Sequence, residues 1–294
     1  MRKVVFLFLI VFCLMLSAQA ESSRTIATFS IAAFDPETGE VGVAVASRFF
    51  GVGAVVPWAK AGVGAVATQA YANTTYGWRG LELLEQGVNP EEVIDILTRS
   101  DEDNQKRQVG IVSVDGQSAT FTGDGCSAWA GGRAGENYAV QGNILAGEDV
   151  VIAMEQAFLE TEGTLADRMY AALLAGESKG GDSRGKQSAA MYIVNENAGY
   201  GGYTDQAIDI RVDDHKEPFK ELGRLLKIAQ VNYSWNYAWN LYLEKEYTEA
   251  LTAIEKTAEI APDNAEVWYD VAVIRLAAGE EILAVSALKT AVSL

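Results

Sequence analysis

Short apolar segments alternate with polar turns over most of the chain, a pattern typical of β-strands buried on one or both faces. Two hairpins are well marked: one turns at Asp35–Gly39, and in the other Asp115-Gly116 stands in an I′-type position. Segments rich in Val, Ala and Gly predict strands over 26–34, 40–47, 62–69, 109–114, 117–122, 137–142, 189–195 and 206–212.

Helical spacing of apolar residues predicts four helices among these strands, over 77–87, 90–99, 147–161 and 164–175. The second has Asn89 as its N-cap and Pro90 at its first helical position. Strands, then helices, then strands predict an α+β layered domain.

The composition becomes helical after Pro218. A 34-residue offset brings small or apolar residues into correspondence, aligning Ala238 with Ala272, Ala250 with Ala284, and Ile254 with Leu288. This period resembles tetratricopeptide repeats, with one unit at 231–264 and a second at 265–294; a generic helical hairpin is the alternative. Two repeats bury little surface, so we expect them to pack on the main domain or another chain, and to hold a protein or peptide partner.

Residues 1–20 have the pattern of a cleaved signal peptide. Arg2 and Lys3 precede an apolar run too short to span a bilayer comfortably, and Ala18-Gln19-Ala20 forms a small-x-small cleavage site. We therefore predict export to the periplasm or the cell exterior without a stable membrane anchor, an uncleaved anchor being the alternative. The predicted domains are 1–20 (signal peptide), 21–226 and 231–294.

Composition excludes several classes of function. The net charge is −17, with 40 acidic residues against 23 Lys and Arg, and no basic stripe is present, which argues against nucleic-acid binding. Beyond the leader, Cys126 is the one cysteine, so an intrachain disulfide is excluded. His215 is the one histidine, so multi-His metal sites are excluded, and its neighbours Asp213 and Asp214 are better explained as solvated strand-end charges. We expect no metal and no cofactor.

The most informative residue is Thr28, which opens the first strand of the mature domain. N-terminal-nucleophile (Ntn) hydrolases keep their catalytic residue in this place. There one residue supplies both nucleophile and base, because its free α-amine, with a pKa of ~7.7–8, accepts the hydroxyl proton. An ordinary strand-initial threonine is the alternative.

Polar side chains interrupt the apolar pattern where strands end. Amide and carboxylate groups in such places can line a cleft, donating to a carbonyl oxygen or orienting an amine, although turns and caps use the same residues. They form three groups: Gln69 and Asn73; Gln141 and Asn143; and Asp182, Arg184 and Gln187.

The whole pattern of segments over about residues 26–226 resembles domain-of-unknown-function family 1028. The segments that carry the resemblance are 28–31, 42–47, 56–59, 61–70, 141–143, 180–189 and 211–214. That family is classed with the Ntn-hydrolase superfamily, so the resemblance implies a four-layer αββα sandwich, without implying a substrate.

The resemblance also implies roles for individual residues. It puts the nucleophile at Thr28 and lets Ser47 match the serine of the proteasome-type Val-Asp-Ser-Arg segment, whose catalytic aspartate is here Ala46. The turn at 141–143 corresponds to the oxyanion hole, with Asn143 as a donor. Asp182 is similar to the aspartate that holds the amino terminus, and Lys60 would lower the pKa of the hydroxyl.

These observations predict an exported amidohydrolase or peptidase-like enzyme that acts on a small amide or peptide. Its expected substrate-binding residues are Ser30, Gln69, Asn73, Gln141, Arg184 and Gln187. Cleavage before Glu21 would leave seven residues ahead of Thr28, so the mechanism also requires a cut at Ala27–Thr28. The alternative is a catalytically silent scaffold that binds a ligand and uses the repeats for a partner; self-association is a further expectation.

Overall fold

The computed structural model describes residues 28–127 and 129–294, which form ten strands and eight α-helices. The strands are β1 (Thr28–Phe34), β2 (Val41–Ser47), β3 (Pro57–Lys60), β4 (Gly64–Ala70), β5 (Arg107–Ser113), β6 (Ser118–Thr122), β7 (Trp129–Gly135), β8 (Tyr138–Leu145), β9 (Ser188–Val194) and β10 (Gln206–Val212). The helices are α1 (Thr75–Glu85), α2 (Pro90–Arg99), α3 (Asp149–Glu160), α4 (Leu165–Ser178), α5 (Pro218–Leu243), α6 (Tyr247–Ile260), α7 (Ala265–Ala277) and α8 (Glu281–Ser293). The predicted signal peptide and the segment ahead of Thr28 lie outside the described residues.

The strands form two antiparallel sheets, which confirms the predicted α+β class. One sheet has six strands in the order β10-β9-β2-β1-β8-β7, and the other has four in the order β3-β4-β5-β6. β1 is central in the larger sheet, so Thr28 lies opposite Ser47 on one side and Asn143 on the other.

Side-chain alternation along β1 explains how the two sheets and the helices pack. Phe29 and Ile31 point to the face that is covered by α3, α4 and the start of α5. Ala32 and Phe34 point to the opposite face and share a core with Ala65 and Ala67 of the four-stranded sheet. The outer face of that sheet is covered by α1 and α2. The space between the sheets is therefore apolar at the Phe34 end of β1.

Three local features differ from the sequence predictions. Gly116 has a positive φ of 87° but Asp115 does not, so the β5–β6 turn is not of type I′, which requires positive φ at both positions. Strands β3 and β7 were not predicted. β7 has the sequence Trp-Ala-Gly-Gly-Arg-Ala-Gly, and glycine is depleted in strands.

The C-terminal helices pack on one another in succession and are joined to the sheets by α5. This helix runs without a break through the predicted boundary at 231, and its first turns bury Phe219, Leu222 and Leu226 in the core of the six-stranded sheet. Further along, Tyr233 lies near the carboxylate of Glu40, and burial is the main cause that raises the pKa of Glu40 above its ordinary value. The helical region is thus attached to the sheet through α5.

A single carboxylate organises the interior of the helical region. Asp270 Oδ2 on α7 accepts hydrogen bonds from the indole nitrogens of Trp235, at 2.7 Å, and Trp239, at 2.8 Å. The four alanines aligned by the 34-residue offset, Ala238, Ala250, Ala272 and Ala284, are all buried. Within the described part of the chain, no helix combines the length and apolar character needed to cross a membrane.

Candidate functional site

A buried cluster of polar side chains fills the space between the two sheets at the Thr28 end of β1. We call it the inter-sheet polar cluster; every member is at most 2% exposed. Its members are Thr28, Ser30, Ser47, Gln69, Gln108, Gln141 and Asn143. The strand alternation that sends Ala32 and Phe34 into the apolar part of this space sends Thr28 and Ser30 into its polar part.

Ser30 lies at the centre of the cluster and bonds side chains from both sheets. Its hydroxyl donates to Gln69 Oε1 at 2.6 Å and accepts from Gln141 Nε2 at 2.7 Å. Gln69 Nε2 donates in turn to Gln108 Oε1 at 2.8 Å and reaches the carbonyl oxygens of Thr28 and Gln141, each at 3.3 Å. The structure therefore brings together Ser30, Gln69 and Gln141, three of the residues predicted to bind substrate.

Gln108, which was not predicted, fixes the orientation of Asn143. Gln108 Oε1 accepts from Asn143 Nδ2 at 3.2 Å, while Gln108 Nε2 donates to Thr122 Oγ1 and to the carbonyl oxygen of Gly142, each at 2.8 Å. Because Gln108 Oε1 can only accept, Asn143 must present its NH₂ group to it. No clear sequence signal marks Gln108, because it lies just ahead of the strand predicted over 109–114.

Thr28 and Ser47 face each other at the edge of the cluster. Thr28 Oγ1 donates to Ser47 Oγ at 3.2 Å, and Thr28 is fully buried. Ala46 stands where the proteasome-type Val-Asp-Ser-Arg segment has its aspartate. It points to the other face of the sheet and belongs to the apolar core under the helices. An aspartate at that position would have to be accommodated in this core.

Two buried carbonyl oxygens of the cluster, Asn143 Oδ1 and Gln141 Oε1, have no hydrogen-bond partner among the described residues. Buried polar atoms are normally hydrogen-bonded, and an unpartnered one calls for an explanation such as a role in binding or catalysis. The Gln141 amide also occupies the space above Gly110, where a Cβ atom would collide with it. Gly110 is therefore required for Gln141 to enter the cluster.

The backbone is strained where two cluster strands end. Ala70 follows Gln69 with a φ of 66°, and Ile144 follows Asn143 with a φ of 53°. Positive φ is unfavourable for a residue with a Cβ, most of all for a β-branched one, and costs on the order of 1–3 kcal/mol. Such strain is concentrated at functional sites in proteins, which favours this end of the sheets as the site.

Asp182 lies at the same end of the six-stranded sheet, next to Arg48, which follows Ser47. Its buried carboxylate accepts from the backbone nitrogens of Arg48, at 2.7 Å, and Arg184, at 2.9 Å, and from Arg184 Nη2 at 3.0 Å. A short bridge joins Asp182 to Leu145 at the end of β8. Asp182 thus connects the loop ahead of β9 to the ends of β2 and β8.

Asn73 and Lys60 lie outside the inter-sheet polar cluster. Lys60 pairs with Glu85 at 2.5 Å, at the end of β4 opposite to Gln69. Asn73 donates to Asp101, whose pKa is held well below its ordinary value chiefly by hydrogen bonds from Arg107. The half-buried Cys126 donates to the carbonyl oxygen of Arg107, and burial raises its thiol pKa.

A groove of about 800 Å³ lies beside the cluster and is lined by Arg48, Lys186, Gln187, Asp214, His215 and Lys216. The backbone nitrogen of Gln187 donates to the Ser47 carbonyl oxygen at 3.1 Å, and its side chain donates to Asp214 Oδ1 at 3.1 Å. The described residues contain no group of three or more His, Cys, Asp or Glu side chains placed to hold a metal ion.

Comparison with known proteins identifies the family. The family described as "Family of unknown function (DUF1028)" matches residues 28–222, and the chain belongs to it. The chain is also similar to a crystal structure of protein SPO2555 from Silicibacter pomeroyi, of the same family. The two are 31% identical with a TM-score of 0.63, over 69% of this chain and 89% of that one. A comparison with curated proteins gave no match.

Proposed function

We propose that this protein is an exported Ntn-type hydrolase of a small amide, with Thr28 as nucleophile and the two sheets with their helices forming an Ntn-like four-layer αββα sandwich. The observation that carries the proposal is the placement of the Thr28 hydroxyl. It lies at the start of β1, 3.2 Å from Ser47 Oγ, inside a polar cluster at the end of two facing sheets. A cut between Ala27 and Thr28 would turn the Thr28 nitrogen into an α-amine beside that hydroxyl.

The reaction follows from this pairing of hydroxyl and amine. Thr28 Oγ attacks the carbonyl carbon of the amide, and the α-amine takes the hydroxyl proton and delivers it to the leaving nitrogen. The C–N bond breaks and an ester on Thr28 remains. Water then attacks the ester, and its proton passes through the α-amine to Thr28 Oγ as the acid leaves.

Asn143 and Asp182 have different roles in this chemistry. Asn143 lies opposite Thr28 on β8, and with a backbone N–H its amide can hold the oxyanion once Nδ2 exchanges its 3.2 Å bond to Gln108. Its partnerless Oδ1 is the complementary acceptor for the α-amine. Asp182 is a positioning residue that keeps Arg48 and the end of β2 in place.

The first experiment is to determine the N-terminal residue and the intact mass of the full chain purified from an exporting cell. We expect a start at Thr28 in the wild type. Thr28→Ala should retain the preceding residues if cleavage is autocatalytic, whereas Thr28→Ser should still be cut, because it keeps the hydroxyl. The matched control is Thr252→Ala, a change at an exposed residue of α6.

Each outcome of this experiment bears on the mechanism. A homogeneous start at Glu21 would leave Thr28 blocked and would exclude the mechanism above. A Thr28→Ala chain that begins at position 28 would assign the cut to a separate protease, and the role of Thr28 as nucleophile would then be tested by hydrolysis assays.

A catalytically silent scaffold is the second candidate. It is favoured by Ala46 in place of the catalytic aspartate and by the exposed apolar side chains Leu276, Ile282 and Val292 on the last two helices. In this case we propose that α5–α8 form two tetratricopeptide-like repeats that hold a protein or peptide partner. Two results together would favour the scaffold: the wild type has no hydrolase activity, and the Thr28→Ala chain still binds the partner.

A further inference from the structure

The groove next to Ser47 is lined by more cationic than anionic side chains, although the chain as a whole is acidic. Acidic residues exceed Lys and Arg by 17 over the whole sequence. The groove is lined by three cationic side chains, Arg48, Lys186 and Lys216, together with His215, against one carboxylate, Asp214. A concave surface lined mainly by one sign of charge attracts ligands of the opposite sign.

The acidic groups around the groove leave Arg48 available to a ligand. Lys186 is bonded to Glu217 at 2.8 Å and lies 3.8 Å from Glu177, and Asp214 accepts from the side chain of Gln187. Arg48 forms no ion pair with any carboxylate of the described residues. Its Nη1 instead donates to the carbonyl oxygen of Arg184 at 2.9 Å. The remaining guanidinium donors are suited to a carboxylate, which arginine can bind with two parallel hydrogen bonds.

Arg48 also has a fixed position relative to the proposed nucleophile. It directly follows Ser47, whose hydroxyl is 3.2 Å from Thr28 Oγ1, and consecutive Cα atoms are ~3.8 Å apart. The Asp182 carboxylate holds the backbone nitrogen of Arg48 at 2.7 Å. Ser47 links the two places, because its hydroxyl contacts Thr28 and its carbonyl oxygen accepts from the Gln187 nitrogen of the groove at 3.1 Å. A substrate that reached Thr28 from this end of the sheet would place its far end at the groove. The groove volume of about 800 Å³ is in the range of small-molecule sites.

We propose that the substrate amide carries a carboxylate and that Arg48 binds this carboxylate in the groove, with Lys216 adding to the positive field. The inference rests on the proposed hydrolase function and names its substrate class: acylated amino acids or short peptides with a free carboxylate. Neutral amides of the same shape lack the charge-assisted hydrogen bonds to Arg48 and bind more weakly.

The test uses a matched pair of probes, N-acetylglycylglycine and its C-terminal carboxamide. Equilibrium binding is measured by calorimetry on a Thr28→Ala chain from which residues 1–27 have been removed at an engineered protease site, so that it begins at position 28 like the proposed mature protein and cannot turn the probes over. We expect the carboxylate to bind about 10- to 100-fold more tightly, the range for hydrogen bonds to a charged group. Arg48→Gln should abolish the preference, and Arg48→Lys should keep part of it.

The control is Arg99→Gln in the same background, since Arg99 is an exposed arginine of α2 that pairs with Asp95. It should leave the preference unchanged. Equal binding of the two probes, no binding of either, or a preference that survives Arg48→Gln would overturn the proposal. Hydrolysis assays of the wild type keep the two proposals apart. Turnover of both probes at equal rates would support the hydrolase and contradict the groove, whereas Arg48-dependent binding without turnover would do the reverse.

Discussion

The hydroxyl of Ser30 donates to Gln69 Oε1 at 2.6 Å and so joins the two sheets across their interior. Ser30 belongs to the six-stranded sheet and Gln69 to the four-stranded one. Apolar contacts between sheets are non-directional, whereas this bond requires one relative position. The inter-sheet polar cluster therefore fixes how the sheets are aligned at the end where Thr28 lies.

We predict that Ser30→Ala destabilises the protein by about 2–5 kcal/mol. The change removes the donor to Gln69 Oε1 and leaves Gln141 Nε2 only its 3.4 Å bond to the Ser30 carbonyl oxygen, and each unsatisfied buried polar group costs about 1–3 kcal/mol. Urea unfolding followed by circular dichroism measures the difference. Ser178→Ala, which removes an exposed hydroxyl at the end of α4, is the control and should change stability by less than about 0.5 kcal/mol. Equal effects of the two changes would contradict the role of Ser30.

We predict that the stabilisation due to Asp101 is lost in acid. Hydrogen bonds from Arg107 lower the pKa of Asp101 below its ordinary value, so the folded state favours the ionised carboxylate. Its contribution is complete above the unfolded-state pKa of ~3.9 and decreases as the pH falls through the lower folded-state pKa. The free energy of unfolding of Asp101→Asn should thus be about 1–3 kcal/mol below wild type at pH 7, with a smaller gap at pH 2–3.

Asp95→Asn provides the comparison for that pH series. Asp95 forms an exposed i,i+4 pair with Arg99, and such surface pairs contribute about 0–1 kcal/mol. A constant difference between Asp101→Asn and wild type from pH 7 to pH 2 would show that the carboxylate charge of Asp101 does not stabilise the fold.

We predict that Asp270→Ala loosens the helical region more than Asp270→Asn does. Alanine leaves the indole N–H groups of Trp235 and Trp239 without their acceptor, whereas asparagine retains one carbonyl oxygen that can accept both. Tryptophan fluorescence during urea unfolding should report a loss of about 2–5 kcal/mol for alanine. Asp263→Ala, in the exposed turn between α6 and α7, should match the wild type. Identical curves for Asp270→Ala and Asp263→Ala would refute the prediction.

We predict that a chain ending at residue 230 folds and that one ending at residue 212 does not. The shorter chain lacks Phe219, Leu222 and Leu226, which are buried in the core of the six-stranded sheet, and Phe219 stacks on Phe29 with ring centroids 6.1 Å apart. Each of these side chains contributes about 1.5–3 kcal/mol by burial. Circular dichroism and resistance to limited proteolysis distinguish the two. If the chain that ends at residue 230 is unfolded, the helices beyond that residue are needed for the main domain to fold, which would contradict the prediction.

The members of the inter-sheet polar cluster that the sequence predicted best are those that interrupt an apolar strand. Ser30, Gln69 and Gln141 are polar residues in otherwise apolar strands, and a polar residue in such a place faces either a site or a costly interior. Gln108 was missed because it follows Arg107 at the start of a strand, where a polar residue needs no explanation. Only the register between β4 and β5, which pairs Gln69 with Gln108, shows that it is buried.

Lys60 and strand β7 illustrate what local pattern cannot supply. The family resemblance implied that Lys60 would act on the Thr28 hydroxyl, but the pairing of Lys60 with Gly64 puts it at the far end of β4. β7 contains glycines because its neighbours are close: a Cβ atom on Gly132 would meet the Thr120 side chain and the Val140 carbonyl oxygen. Both facts depend on contacts between distant segments, which a single sequence does not encode locally.

The absence of a side chain at Gly110 has an evolutionary consequence. Because the Gln141 amide fills the space above Gly110, a residue larger than glycine at 110 forces that amide out of its place in the cluster. The two positions should therefore show strong epistasis: Gly110→Ala and Gln141→Ala each harm the protein alone, while the double variant recovers part of the loss. Within this family, the identities at these two positions should covary, and a lineage that replaces Gly110 should also give up the amide of Gln141.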